Sequence, residues 1–370
     1  MKRSLCCLLI IFVGFSACEK APEKNTAPKA RKAPTNLIKK TVETNDKKRL
    51  SDYGFFKGKL ANLSPNEKVY SYSINTPLFS NYAEKARFIY LPSGKKMALE
   101  LHGPVRFDDG AVLIKNFYYP VDQTSPNDER ELLETRLLIK EKEGWKPLNY
   151  LWNEDQTDAI LNYVGAKIDV NWTNKNGEEK KVVYQVPNLN QCKNCHNRNN
   201  KISPIGVTAA QLNRQYEGVE KTINQLDYFN EENILNQYNV SIDYDKMPVW
   251  NDPLTAPLAD RAKAYLDANC AHCHSAQGSA KNSGLYLDYH QKDQRKRGIY
   301  KPPIAAGKGS GDFQYDIVPG APESSIFIYR LGSNDPAIRM PEIGRSVVHE
   351  EGLALLSQYI KELRSDELRQ

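Results

Sequence analysis

The 370-residue chain is poor in the residue types on which site chemistry most often rests, with 7 Cys, 6 His and 4 Met. Its apolar run from Leu5 to Phe15 is too short to cross a bilayer as a stable helix. No Gly-rich phosphate loop, Ser-His-Asp triad or paired-carboxylate site can be read along it, so nucleotide, triad and glycosidase chemistry lack support. A basic folded surface is missing too. The overall net charge is +6, but residues 19–49 alone carry ten Lys and Arg against four acids. Lys2 and Arg3 add two more positive charges, leaving everything after residue 49 slightly acidic. The basic character therefore belongs to one short segment, and nucleic-acid binding is not expected.

What the chain does have is one five-residue pattern twice: Cys192-Lys-Asn-Cys195-His196 and Cys270-Ala-His-Cys273-His274. Cys-x-x-Cys-His is the attachment signature of c-type haem. Two thiols with two residues between them reach the two vinyl groups on one side of a porphyrin, and the adjacent His is held under the iron. Two c-type haems are expected, with Cys192, Cys195, Cys270 and Cys273 as thioether positions and His196 and His274 as proximal ligands. A four-thiolate zinc site, structural disulfides and thioredoxin-like redox pairs are the alternatives. Zinc sites usually separate their pairs by roughly 15–20 residues, whereas 74 residues separate Cys195 from Cys270. None of the three alternatives requires a following His. Six His in 370 residues would supply one after both pairs by chance roughly three times in ten thousand.

The N-terminus is read independently. Lys2 and Arg3 precede the short apolar run, and Phe15-Ser16-Ala17-Cys18 follows it. That ending resembles a bacterial lipobox with Phe15 where Leu is usual, which implies a signal peptide over 1–17 and lipid on Cys18. An ordinary secretory signal is the alternative. Residues 18–49 read as a disordered basic tether. Cysteine use then closes: Cys6 and Cys7 leave with the signal, Cys18 takes lipid and four thiols take haem.

Residues 50–190 read as a β-rich domain, an antiparallel sandwich or barrel-like fold. Ala86–Leu91, Ala111–Tyr119, Glu134–Ile139 and Lys181–Val186 are β-branched and aromatic runs bounded by Gly, Pro, Asn and Asp. Residues 191–256 form a first haem-binding segment, with short helices expected over 208–216 and 218–226. From 257 to 370 the pattern turns helical: Leu258–Leu266 runs into Cys270, and Glu350–Leu363 places Leu353, Leu356, Ile360 and Leu363 on one face. The region after 190 is thus expected to be mainly α-helical.

Residues 257–370 resemble the small monohaem cytochrome c fold, through the helix entering Cys270, the terminal amphipathic helix, and Ile317–Ser325 followed by Arg339-Met340-Pro341. The resemblance implies Met340 as sixth ligand opposite His274. Met247-Pro248 repeats the order after the first motif, offering Met247 for His196; His102, Met97 and an open site are its rivals. Taken whole, the chain from Leu50 onward resembles a family of exported bacterial dihaem c-type cytochromes with an N-terminal β domain. The likeness rests on Leu78-Phe-Ser-Asn-Tyr82, Val112-Leu-Ile-Lys-Asn-Phe-Tyr118, Tyr150–Asp158, Val186–Cys192, Ala264–His274 and Ala305–Gly311. Arg339 is the expected propionate partner, His349 a cap or surface residue, and His272 an outward one. His290 precedes a basic stretch, Lys292–Arg297, read as a solvated loop.

The expected function is one-electron transfer between unidentified redox donor and acceptor proteins at the cell envelope, with the membrane reached through Cys18. A dihaem peroxidase or small-molecule oxidoreductase with an open iron site at His196, and a haem-linked binding or sensing protein, are the alternatives.

Overall fold

A computed structural model describes residues 46–125, 129–218, 222–239, 241–304 and 307–364. The expected signal peptide, the expected lipidation site Cys18 and most of the expected tether lie outside these residues. From Lys47 onward the chain forms one compact unit.

The strands follow from alternating apolar runs punctuated by turn residues. They are β1 (Val69–Ser71), β2 (Glu84–Tyr90), β3 (Met97–Ala98), β4 (Arg106–Phe107), β5 (Val112–Pro120), β6 (Arg130–Glu141), β7 (Gly144–Trp152) and β8 (Ala159–Leu161). β9 (Ala166–Thr173) and β10 (Glu179–Val186) follow. Six of them make one antiparallel sheet in the order β1-β2-β5-β6-β7-β8. β3 with β4, and β9 with β10, form two-stranded ribbons.

Successive residues of β5 point to opposite faces, and both faces are covered. Val112 and Ile114 join Phe88, Leu137 and Leu148 in a core closed by Leu50, Phe55, Phe56 and Leu63. Leu113 and Ile89 point the other way, into a core with Val207, Leu212, Leu226 and Phe229. The ribbon β9–β10 supplies a third core, in which Trp172 and Tyr184 meet Phe117 and Tyr119. Burial on both faces explains why β5 reads as an almost continuous apolar run.

Short helices complete the chain: α1 (Leu189–Cys195), α2 (Ala209–Leu212), α3 (Gln225–Glu231), α4 (Leu258–Leu266), α5 (Ile326–Leu331) and α6 (Glu350–Glu362). A two-residue hairpin pair, β11 (Asn197–Arg198) and β12 (Lys201–Ile202), follows α1. The expectation of a mainly α-helical cytochrome c-like region is therefore corrected: strand predominates over helix, and the longest helix after residue 190 has 13 residues. The physical reason is the spacing of helix breakers. Between the second motif and α5 stand Gly278, Gly284, Gly298, Gly311 and Gly320 with Pro302, Pro303, Pro319 and Pro322, which leave only single helical turns. The sheet, too, is open rather than barrel-like, since β1 and β8 end it without pairing to each other, and β8 meets only a short bridge from Arg49 on its outer side. The second helix of the first haem segment starts at Gln225, later than expected, where Asn224 caps it.

Where α6 lies against α4, Ala262, Tyr265 and Leu266 pack on Leu355, Leu356, Tyr359 and Ile360. The buried face of α6 is set by Gly352, Leu355, Leu356, Tyr359 and Ile360, and Leu353 lies at its margin rather than its centre. A Cβ on Gly352 would overlap the Tyr265 hydroxyl and crowd His349 Nδ1. Gly352→Ala should therefore lower stability by about 1–3 kcal/mol through overpacking, outweighing a helix-propensity gain of about 1 kcal/mol. A shift of the urea midpoint to lower concentration at unchanged m checks this; an upward shift contradicts it.

Candidate functional site: two Cys-x-x-Cys-His motifs at adjoining cavities

The first motif is set on α1 by a capping box. The Asn188 side chain accepts from Gln191 N and the Gln191 side chain accepts from Asn188 N, each at 3.0 Å. Three residues of helix then place Cys192 and Cys195 on one side, one turn apart. His196 ends the helix, and the β11–β12 turn brings the Ser203 carbonyl to 2.8 Å from its Nδ1. A carbonyl only accepts, so Nδ1 carries the proton and Nε2 keeps its lone pair. Burial, opposed by that hydrogen bond, lowers the His196 pKa to about 4, so the ring is neutral at pH 7.

The second motif begins where α4 widens into a π-helical turn over Asp267–Ala271. His274 N donates to Cys270 O at 2.8 Å. Its Nδ1 lies 3.3 Å from Ser283 Oγ, whose own proton goes to Ala280 O at 2.7 Å. Ser283 Oγ therefore accepts from Nδ1–H, and His274 Nε2 is also left with a free lone pair. Burial lowers this pKa as well. Gly278 is required here, since any Cβ would run into the Cys273 carbonyl. Both histidines are thus oriented through Nδ1 and neutral, the state a metal-ligating imidazole needs.

The two motifs, far apart in sequence, meet. The thiols of Cys195 and Cys273 lie against each other, and that contact pushes Cys195 up and Cys273 down from the usual thiol range. Burial raises Cys192 and lifts Cys270 to about 12. All four thiols are free, with no disulfide among them. Nor do they gather as a zinc site would require. A tetrahedron with 2.3 Å Zn–S bonds has sulfur–sulfur edges of about 3.8 Å. Among the described residues, the one group of three or more Cys, His, Asp or Glu donors within 4.8 Å of one another is His102, Asp245 and His290, elsewhere on the molecule.

Each histidine instead faces its own cavity. His196 with Cys192 and Cys195 lines one, between the sheet and the helices. His274 with Cys273 lines a second of about 460 Å³, within the usual range of ligand pockets. Cys195, Cys270, His272 and Leu331 border both.

Lys115 and Arg136 bring positive charge to the wall of the first cavity, and Arg87 extends the row on the neighbouring strand. Arg87 on β2, Lys115 on β5 and Arg136 on β6 stand directly opposite one another across three strands, an arrangement of like charges that costs stability. Arg136 is committed to Glu134, bound at 3.0 and 2.5 Å. Arg87 Nη2 is buried without a partner, and Lys115 meets the Phe117 ring at 5.0 Å, its charge offset only in part by Glu134. Burial, then Arg87, Lys85 and Arg136, hold the Lys115 pKa well below normal. A flat, mostly apolar group bearing carboxylates, such as haem with its propionates, suits these leucine-rich walls and orphaned cations. Sequence reading missed this row. Its signal was charge at inward strand positions, in the alternations Arg87-Phe-Ile89, Leu113-Ile-Lys115 and Arg136-Leu-Leu138.

Met340 lines the second cavity with His274. Met247 does not border either cavity; it is buried beneath α2, its N bonded to Ala210 O at 2.9 Å. Met97 sits in the sheet core and His102 on the surface, so neither rival reaches His196. His349 is no surface cap. It caps nothing with its side chain, stacks on Phe79 at 4.1 Å, bonds Tyr265 Oη at 2.8 Å and lines the first cavity. His272 faces inward, with Nδ1 buried and unpartnered. Arg339, beside Met340, has a buried unpartnered Nε. In the basic stretch, Arg297 is held by Tyr359 at 2.6 Å.

Comparison with protein families, with curated proteins and with solved structures gave no match.

Lys85, below Arg87 on β2, is lowered from 10.5 to about 7 by burial and then by Arg87 and Arg136. Because the folded value lies below the unfolded one, the unfolded chain binds more protons between them, and stability falls as pH drops through that window. Haem-free protein should accordingly lose stability from about pH 9.5 to about pH 7, and Lys85→Met should flatten the slope. Denaturant midpoints across this range check it; an unchanged slope in the variant contradicts it.

Proposed function

We propose that the protein is a dihaem c-type cytochrome of the bacterial cell envelope that passes single electrons between a redox donor and an acceptor protein. One observation carries this reading: two Cys-x-x-Cys-His motifs meet at Cys195 and Cys273 while their histidines face adjoining cavities. Cys192, Cys195 and His196 would hold the first haem, and Cys270, Cys273, His274 and Met340 the second. Bound haem supplies reversible one-electron chemistry of its iron, tuned by axial ligands and surroundings.

The chain's own residues perform the remaining tasks. Ser203 and Ser283 fix the proximal imidazoles. The leucine-rich walls exclude water, and the Arg87–Lys115–Arg136 row offers counter-charge. The Cys195–Cys273 contact would bring the two attachment sites together. Cys18 would anchor the folded part through lipid and the 18–49 tether, with no role for nucleic acid.

A second reading, a haem oxidoreductase with an open site at His196, is favoured by the absence of any methionine from the lining of that cavity.

Purified holoprotein should contain two covalent haems per chain, both low-spin and inert to hydrogen peroxide and carbon monoxide. A high-spin haem that reacts with peroxide would overturn the carrier in favour of the second reading, and absence of covalent haem would overturn both. Met340→Ala should abolish one methionine-ligation absorbance band of the oxidised protein; its persistence contradicts Met340 as ligand.

A further inference from the structure

Four of the six histidines border the two cavities: His196, His272, His274 and His349. The other two, His102 and His290, come together on the surface with Asp245. His102 lies in the turn between β3 and β4, Asp245 between α3 and α4, and His290 in the segment after the second motif. One ligand atom from each lies within 4.8 Å of the other two. We propose that His102, Asp245 and His290 form a binding site for a divalent transition-metal ion of the zinc and copper class.

The distances favour coordination over an ion pair. His290 Nε2 lies 3.4 Å from Asp245 Oδ2. A charge-assisted N–H···O bond closes to about 2.7–2.9 Å. A tetrahedral ion with bonds of about 2.0–2.1 Å has donor–donor edges of about 3.3–3.4 Å, which matches the His290–Asp245 pair. The two imidazoles meet edge to face, with ring centroids 5.6 Å apart, and a nitrogen of each lies within 4.8 Å of the other. His290 and Asp245 are 57% and 53% exposed, leaving open positions for water and free access for an ion. Two nitrogens and one carboxylate suit zinc or copper, whereas magnesium and calcium demand all-oxygen shells. An ion here would clip the β3–β4 ribbon to the segment after the second motif. The site is independent of the haem reading.

The test titrates Zn²⁺ into the full-length holoprotein and into its His102→Ala/His290→Ala variant by calorimetry. Wild type should take up one more Zn²⁺ per chain than the variant, or bind it at least tenfold tighter, and should lose that advantage at acid pH as protons compete. Because both side chains are exposed, folding of the variant is expected to be unaffected, and its unchanged haem spectrum and melting temperature without zinc verify this. Identical isotherms for the two proteins overturn the proposal. Crystals soaked in Zn²⁺ give a second readout: anomalous density within about 2.0–2.2 Å of all three donors supports the site, and density away from them overturns it.

Discussion

The contact between the Cys195 and Cys273 thiols constrains the rest of the structure. It requires α1, which leaves the β10 strand, to meet the turn that ends α4. With these two points joined, the sheet face bearing Leu113 and Lys115 becomes the back wall of the first cavity, and the loop carrying Met340 closes the second. Both cavities then share a boundary at Cys195, Cys270 and His272. Neither motif could serve a separate domain in this arrangement.

Electrostatics follows from the same geometry. A half-open sheet face would let Arg87, Lys115 and Arg136 reach solvent, but Val207, Leu212, Leu226, Phe229 and Tyr244 pack on that face, and Lys115 and Arg136 are left lining a cavity. Unlike Arg136, whose partner Glu134 also accepts the Tyr184 hydroxyl at 2.6 Å, Arg87 keeps a buried Nη2 without a partner and Lys115 forms no salt bridge among the described residues. Buried charge without a partner is costly, and an anionic occupant of the cavity would offset that cost.

Much of the strand pattern was legible, because β2, β5 and β10 are short β-branched runs set between turn residues. So was α4, whose periodicity survives into the structure, and each Cys-x-x-Cys-His spacing already placed its thiols and imidazole close together. What failed was long-range. Helical character at Leu258 and Glu350 was extended across intervening residues whose glycines and prolines forbid it. Met247 shares its Met-Pro dipeptide with Met340, yet one is packed under α2 and the other lines a cavity; sequence order carries no information about which way a loop turns. His349 illustrates the same limit, since its burial depends on Phe79 and Tyr265, which are remote in sequence.

The central claim is that two haems are held side by side by motifs that touch. Circular dichroism of the holoprotein in the Soret region tests it most directly, because neighbouring haems couple their transitions. The account predicts a two-signed Soret couplet. A single-signed band, or no Soret absorption at all, would contradict it.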